Sequence, residues 1–440
     1  MELKNFHIIT FGCQMNENDS LQLSALLEKE LNLTYSYDIE KTDLIIINTC
    51  SVREKPEKKV FSIAGRLAKQ NTKKNRIIGI MGCVAQEYGD EILKKAKYID
   101  FVAGTHNIHN IPKIIKKIVL QREKISKTDF YDTIPSLSVF TKPYGNSKVQ
   151  AYVSVMQGCN NFCSYCIVPY VRGREYSRPY KEIIEEIKFL VSQGVTEVTL
   201  LGQNVNSYGT NLNNNINFPE LLNKIAKTEG LKRIRFTTSH PKDFNEELIN
   251  VMKEHDNICK QLHLPIQSGS NKILKLMNRK YTKEEYLEKV YLLKRIIPEI
   301  MITTDIIVGF PFEEEQDFKE TLDILKEVKF ISSFSFVYSP RPFTKYADLD
   351  NVEINVKKER LSQLQKLQKE ITFNYNQDAI GKVFNVLVEG KSKKSSTELS
   401  GRTEDNRIVN FKGDESLIGK FVDVEITKGF QNSLKGKIYV

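Results

Sequence analysis

The run LIIINTC (Leu44–Cys50) decides how this 440-residue chain is read. Four apolar residues in succession, closed by Asn-Thr-Cys, fit a short strand buried on both faces in a parallel sheet. The same pattern occurs on either side of it. FHIITFGC (Phe6–Cys13) precedes it and IIGIMGC (Ile77–Cys83) follows, each an apolar run that ends in a cysteine. Strands are therefore expected at Phe6–Thr10, Leu44–Ile47 and Ile77–Met81. Helix-compatible stretches separate them, and Ser20–Leu31 spaces its leucines at helical intervals. Strands alternating with helices imply an α/β fold, with an open, parallel, doubly wound sheet over residues 1–124.

Further out, residues 125–148 are polar, lack periodicity and read as a linker. A second strand–helix series follows over 149–346. Its strands are expected at Tyr152–Met156, Glu197–Leu201, Arg233–Thr237, Gln261–Pro265, Ile302–Val308 and Phe334–Tyr338. Six such units fit a partial (β/α)6 barrel, open compared with the eight-unit closed form. A charged connecting helix is expected within 347–373. Residues 374–440, with short strands and Gly/Ser turns, suggest a small all-β barrel of a size that often carries nucleic acid.

Composition bounds the class. Hydrophobic residues make up 40% and charged residues 27% of the chain, which suits a globular protein with a sizeable core. The formal charge of +10 permits a polyanionic partner, although the Lys-rich, Trp-free usage weakens that inference. No stretch approaches the ~18 apolar residues of a membrane span, and the first residues do not form a signal-peptide core. A cytoplasmic protein with reduced thiols is expected, so the seven cysteines are read as ligands or core residues and not as a disulfide framework.

Six of those cysteines form two sets of three. Cys159, Cys163 and Cys166 lie in GCNNFCSYC (Gly158–Cys166), just after an expected strand. Thiols three and four residues apart in a loop can converge on one metal or cluster. Structural zinc usually takes four ligands in two short-spaced pairs, and no second pair is present here. Three ligands suit a 4Fe–4S cluster with one iron open to a substrate or cofactor. Cys13, Cys50 and Cys83 are distant in sequence but each follows a strand. Carboxyl ends of adjacent parallel strands share one crevice, so these thiols form either a second three-thiolate site or small buried core residues. Cys259 lies within an expected strand and reads as core packing.

The chain resembles the methylthiotransferase family of radical S-adenosylmethionine (SAM) enzymes over essentially its whole length. The motifs are TFGCQMNENDS (Thr10–Ser20), NTCSVREKPEKKVFSIAGRL (Asn48–Leu67), MGCVAQE (Met81–Glu87), GCNNFCSYCIVPYVRGREYSRP (Gly158–Pro179), LLGQNVNSYG (Leu200–Gly209) and TSHP (Thr238–Pro241). The resemblance implies a radical-SAM barrel in the middle and a TRAM barrel at the end. It implies metal ligation by Cys13, Cys50, Cys83, Cys159, Cys163 and Cys166, hence two 4Fe–4S clusters. SAM would sit on the open iron of the Cys159/Cys163/Cys166 cluster, cleaved there to a 5′-deoxyadenosyl radical. The other cluster would handle the sulfur to be inserted, and a further SAM would donate the methyl group. GCQMNENDS favours the tRNA branch over the ribosomal-protein branch. The implied reaction places a methylthio group on carbon 2 of isopentenyl-adenosine (N(6)-dimethylallyladenosine) beside the anticodon. Alternatives are a methylthiolase of threonylcarbamoyl-adenosine tRNA or of a ribosomal protein, and a non-catalytic, zinc-containing RNA-binding protein. Phe312 and Phe343 stand where the family more often has Gly, which puts two local loop shapes in doubt.

Other positions carry less. Gly202, Gln203 and Asn204 follow the second barrel strand and, by the resemblance, would bind SAM near its amino and carboxylate groups; an ordinary turn is the alternative. Asp305–Gly309 would pack along its adenine, or be a plain buried strand. Arg172, Arg174 and Arg178 would meet tRNA phosphate or the SAM carboxylate, or be solvated loop charge. Lys391, Lys393 and Lys394 form a small basic cluster in the mildly basic last segment. No histidine is assigned a catalytic role, and no catalytic residue is named. The expected partners are a tRNA anticodon arm and an external electron donor, no membrane, and the chain is expected to be a monomer.

Overall fold

The computed structural model describes residues 2–51, 54–69, 76–135, 137, 139–145, 148–212, 216–393, 395 and 397–439, with the side chains of 54–59 outside the description. The chain divides into two compact units. The first comprises residues 1–142, 152–160 and 166–178, and the second comprises 143–151, 161–165 and 179–440.

In the first unit the elements run β1 (Asn5–Phe11), α1 (Gln14–Leu31), β2 (Thr34–Tyr35), β3 (Leu44–Thr49), α2 (Glu54–Lys69), β4 (Ile77–Gly82), α3 (Cys83–Tyr88), α4 (Asp90–Lys95), β5 (Phe101–Ala103), α5 (Ile111–Gln121) and β6 (Ile125–Lys127). The sheet has the order β2-β1-β3-β4-β5-β6, and every pair is parallel. The expected linker thus begins inside the sheet: Ile125–Lys127 pair with Phe101–Ala103 as its edge strand. Three residues are too few to show a period, which is why the sequence reads as unstructured there.

Burial on both faces accounts for the unbroken apolar run at Leu44–Ile47. Leu44 and Ile46 pack with Leu23 and Leu27 of α1 and with Ile111, Ile114 and Ile118 of α5. Ile45 and Ile47 pack on the opposite face with Val60 and Ala64 of α2 and with Val84 and Ile92. Successive strand residues alternate between two cores, so neither face tolerates a polar residue. The register aligns the strand ends: Phe11 pairs with Thr49, and Thr49 with Gly82. All three of these strands therefore end at one level, each one residue or two before a cysteine. The first unit continues, after β7 (Gln150–Ser154), with β8 (Met156–Gln157), α6 (Val168–Arg172) and β9 (Tyr176–Ser177).

The second unit holds five strands of the partial (β/α)6 barrel, whose first strand is β7, together with the small β-barrel. Beyond α7 (Tyr180–Ser192) come β10 (Glu197–Leu201), α8 (Phe218–Ala226), β11 (Arg233–Thr237), α9 (Glu246–Glu254), β12 (Gln261–His263), α10 (Asn271–Leu276), α11 (Lys283–Ile296), β13 (Met301–Val308), α12 (Glu315–Val328) and β14 (Ser332–Val337). β10 pairs with β11, and β12 with β13 and β13 with β14, all parallel. The gap between β11 and β12 is bridged where Ile234 N–H donates to the Asn257 carbonyl (2.7 Å) and Cys259 N–H to the Ile234 carbonyl (2.9 Å). Cys259 is buried there, as core packing requires.

Helix α13 (Ile354–Gln377) leads into β15 (Val383–Lys391), β16 (Glu398–Arg402), β17 (Ile408–Lys412), β18 (Phe421–Gly429) and β19 (Leu434–Ile438), which close into a barrel in the order β15-β16-β17-β19-β18. Two arginines of β11 grip it. Arg233 donates to the carbonyls of Arg402 and Asn385 (both 3.1 Å), and Arg235 to those of Glu404 (2.7 Å) and Thr403 (2.8 Å). Both guanidiniums are buried and share the Glu197 carboxylate.

Phe312 and Phe343 both have φ +66°, the left-handed conformation that glycine adopts freely. The loop shapes at these positions are ones a glycine would take, held here by an exposed phenylalanine at 46% and 59% accessibility.

Candidate functional site

The strand ends of the first unit gather three thiols. Cys50 N–H donates to the Phe11 carbonyl (3.0 Å), extending the β1–β3 ladder by one residue and placing Cys50 beside Gly12 and Cys13. Gly82, at φ +91°, turns the chain sharply from β4 into α3; a Cβ there would collide with Asn48 Oδ1 and the Thr49 carbonyl. Cys13 caps α1 and keeps exposed surface although protein crowds its thiol, while Cys50 and Cys83 are buried. Cys50 lies within hydrogen-bonding reach of both other thiols.

That arrangement splits their acidities. Hydrogen bonding to Cys50 pulls the Cys13 thiol down to about 6, against burial and with help from the Arg172 charge. The same bond from Cys50 draws Cys83 down to about 7, again against burial and again with Arg172 helping. Cys50 is driven far upward because it donates towards both neighbours. Among the described residues no three His, Cys, Asp or Glu side chains take up a ready-made ion-site geometry; here the thiols are linked through their own hydrogen bonds. The donor set itself, three sulfurs of which two are easily ionised, suits a thiophilic metal or an iron–sulfur cluster.

A buried polar network fixes this corner. Asn16 Nδ2 donates to Asn48 Oδ1 (3.0 Å), and Asn48 Nδ2 donates to the Asn16 carbonyl (2.7 Å) and to Ser20 Oγ (2.9 Å). Ser20 Oγ and Thr10 Oγ1 share a further bond (2.8 Å), and Cys13 Sγ–H donates to Asn16 Oδ1 (3.3 Å). Asn16, Asn18, Asp19 and Ser20 are all buried. In the sequence these residues counted only as part of a family motif, with no packing role assigned to them. The available signal was that NENDS places several small polar residues in succession, where a helix lying on a sheet normally alternates faces.

Arg172 is neither a phosphate contact nor a solvated loop charge. It is 2% exposed and paired with Asp19 at 2.8 Å. Arg178 donates to the Ser154 carbonyl (2.6 Å), and Arg174 is exposed.

Of the CxxxCxxC set, Cys159 and Cys166 lie in the first unit and Cys163 in the second. Cys159 N–H donates to the Gly173 carbonyl (3.2 Å). Arg279 donates to Cys163 Sγ from Nη1 (3.4 Å), to Tyr281 Oη from Nε (2.8 Å) and to the Pro265 carbonyl from Nη2 (2.9 Å). A buried guanidinium thus faces Cys163, a partner that sequence reading did not identify.

Gly202, Gln203 and Asn204 follow β10 as expected. Gly202 N–H donates to the Thr237 carbonyl (3.2 Å). Asn204 is buried, its Nδ2 donating to Asp243 (2.7 Å) and its Oδ1 accepting from His240 N–H (3.1 Å). Asn204 therefore ties the ends of β10 and β11 together. At those same strand ends Asn206 Nδ2 and Oδ1, Ser239 Oγ and His240 Nε2 are buried without hydrogen-bond partners. Burial, reinforced by Arg279, Lys242 and Lys289, holds His240 down to about 2 and therefore neutral. Its Nδ1 accepts from Lys242 N–H (3.1 Å), so Nε2 carries the proton. Unspent polar groups at strand ends are what a small polar ligand would need. Asp305 lies within β13, with His263 Nε2 at 3.5 Å.

Lys391 pairs with Glu415 at 2.7 Å on the small barrel, and Lys394 lies outside the described residues. No helix among the described residues is long and apolar enough to cross a membrane.

The chain matches three family models: "Uncharacterized protein family UPF0004" over residues 5–104, "Radical SAM superfamily" over 153–325 and "TRAM domain" over 377–439. It is 49% identical to the tRNA-2-methylthio-N(6)-dimethylallyladenosine synthase of Syntrophus aciditrophicus, covering 100% of this chain and 95% of that protein. The chain belongs to the tRNA-2-methylthio-N(6)-dimethylallyladenosine synthase family. The family member from Geobacter metallireducens is likewise 49% identical, covering 99% of each chain. Among solved structures, the radical S-adenosylmethionine methyltransferase TsrM from Kitasatospora setae superposes with a TM-score of 0.58. It shares 12% identity over 78% of this chain and 75% of that one, a likeness of fold alone. Membership of the synthase family makes this a radical-SAM enzyme, and the family's cofactors are SAM and a 4Fe–4S cluster.

Proposed function

We infer that the chain is a tRNA methylthiotransferase that converts N(6)-dimethylallyladenosine beside the anticodon to its 2-methylthio derivative. The observation that carries this reading is the gathering of Cys13, Cys50 and Cys83 at three adjacent strand ends, in a chain 49% identical over its full length to a named synthase.

Two ligand sets divide the work. Cys159, Cys163 and Cys166 would hold the 4Fe–4S cluster that takes SAM, and Cys13, Cys50 and Cys83 would hold a second cluster. When bound, these groups supply the radical and sulfur chemistry that acid–base side chains cannot apply to an aromatic C–H bond. The protein's residues bind, orient and exclude water. Arg279 presents a buried guanidinium to Cys163 Sγ and so fixes the position of that ligand. Gly202, Gln203 and Asn204 form the SAM-side segment. Asn204 holds it against β11, and the unpartnered groups of Asn206, Ser239 and His240 supply polar contacts there. Neutral His240 offers a donor at Nε2 without adding charge. The TRAM barrel, gripped by Arg233 and Arg235, orients the anticodon arm through phosphate contacts that carry no sequence information. Base selectivity comes from the splayed loop base and its apolar group at the (β/α) barrel. The enzyme acts in the cytoplasm as a monomer served by an external electron donor.

Anaerobic reconstitution tests the reading. Two 4Fe–4S clusters require about eight iron and eight sulfide per chain, with 5′-deoxyadenosine released on reduction. Mass spectrometry of nucleosides from incubated tRNA should show the 2-methylthio-isopentenyl product. A threonylcarbamoyl product, or modification of a ribosomal protein, would reassign the substrate. Stoichiometric zinc without SAM cleavage would make the chain an RNA-binding protein. Replacing Cys159, Cys163 and Cys166 by Ala should abolish SAM cleavage. Replacing Cys13, Cys50 and Cys83 should spare cleavage and stop sulfur insertion.

A further inference from the structure

A buried ion pair stands against the Cys13–Cys50–Cys83 thiols. Arg172 ends α6, six residues beyond Cys166, and Asp19 lies in α1, six residues beyond Cys13. Their side chains meet at 2.8 Å and are only 3% and 4% exposed. The backbone of α6 is pinned as well. Thr105 Oγ1–H donates to the Val171 carbonyl (2.7 Å), His106 Nε2 bonds the Arg172 carbonyl (2.9 Å), and Ile167 and Val171 pack directly on Cys83. The guanidinium so held lies within hydrogen-bonding reach of Cys83 Sγ, while neither Nη1 nor Nη2 makes a well-aligned hydrogen bond to a nitrogen or oxygen.

A buried ion pair is a poor stabilising device: apolar residues of similar volume usually serve as well or better. Its unspent N–H groups are therefore the informative feature. They lie within reach of the Cys83 sulfur and near that of Cys13; ligand sulfurs must be ionised, and three thiolates drawn together accumulate negative charge. Hydrogen bonds and charge around cluster sulfurs are principal determinants of cluster potential. Burial opposes the Arg172 charge, but Asp19 and the two thiols outweigh it and keep the group cationic.

We propose that Arg172 is the positioning residue of the Cys13/Cys50/Cys83 site: its guanidinium, pinned by Asp19, hydrogen-bonds the ligand sulfurs and compensates their charge. The segment that follows the third cysteine of one ligand set thereby sets the redox poise of the other. The inference rests on the reading that these three cysteines hold a cluster.

The test uses full-length protein in which Cys159, Cys163 and Cys166 are replaced by Ala, so that only this cluster forms. Its midpoint potential is read by EPR during reductive titration, with iron and sulfide counted in the same samples. Asp19→Asn removes an anion and keeps the cation, so the potential should rise. Arg172→Met combined with Asp19→Asn removes the whole pair without stranding a charge, so the potential should fall below that of the parent. A merely structural pair would not give shifts of opposite sign. Potentials that coincide in all three proteins at equal iron content overturn the proposal and leave the cluster reading standing. Absence of iron from the Cys-to-Ala parent itself overturns the cluster reading, and the proposal with it.

Discussion

Asn48 is the residue on which the thiol corner turns, and Asn48→Ala gives the sharpest test of that view. The side chain makes three buried hydrogen bonds, at 3.0, 2.7 and 2.9 Å, to Asn16 and Ser20. Truncation leaves three groups short of a partner: the Asn16 amide, the Asn16 carbonyl and the Ser20 hydroxyl. Two of them keep something, since Asn16 Nδ2 retains a long bond to the Thr49 carbonyl (3.4 Å) and Ser20 Oγ retains Thr10. An orphaned buried polar group costs about 1–3 kcal/mol, so the low end applied three times predicts a loss of about 3 kcal/mol. That is a large fraction of the ~5–15 kcal/mol that holds a typical domain together. The chain has no tryptophan, so urea unfolding of the metal-free protein is best followed by far-UV circular dichroism. A second readout reports on the site itself. Cys50 is buried and lies two residues after Asn48, at the end of the same strand, so its alkylation by iodoacetamide should accelerate as the α1–β3 contact loosens. A stability change below about 1 kcal/mol, together with unchanged Cys50 labelling, would refute the claim that this network holds the thiols in place.

Cys13 should behave as an unusually acidic thiol in the metal-free protein. Its alkylation rate should rise with pH around a midpoint of about 6, and Arg172→Met should move that midpoint upward. The linkage has a definite sign. A thiol whose folded value is depressed stabilises the fold fully above the unfolded value of 9.0 and loses that contribution as pH falls through about 6. Compared with Cys13→Ser, the parent should therefore gain stability between about pH 6 and pH 9; a flat difference in urea melts would contradict the assignment. Arg235→Met should cost about 3–5 kcal/mol by breaking a buried charge network, with early proteolytic release of the C-terminal barrel as the visible sign. Phe343→Gly should be neutral or stabilise by up to about 1 kcal/mol, because it relieves a left-handed backbone at an exposed side chain; a larger loss would mean the ring packs against something essential.

The apolar runs ending at Thr49, Phe11 and Gly82 contained the first domain's class, because a strand buried on both faces admits no polar residue along its length. The CxxxCxxC spacing likewise contained its chemistry, since ligands close in sequence need little tertiary help to converge. Periodicity and spacing are local properties, and what depends only on them could be read directly. The short edge strand Ile125–Lys127 escaped because three residues carry no period. NENDS was visible only as part of a family motif; its packing role depends on Asn16 facing Asn48, some 32 residues away along the chain.

The sequence by itself determined that the chain alternates strands with helices, carries two cysteine triplets and belongs with the methylthiotransferases. Only the tertiary structure decided that Cys13, Cys50 and Cys83 share one hydrogen-bonded corner, and that Arg172 is buried against it instead of facing solvent or phosphate. It decided also that Asn204 is a tie between strand ends and that Arg279 faces Cys163. The reason is physical. A side chain's type is written in the sequence, but its charge state and its partner depend on which distant groups share its low-dielectric surroundings, and that is settled when the sheet brings the strand ends together.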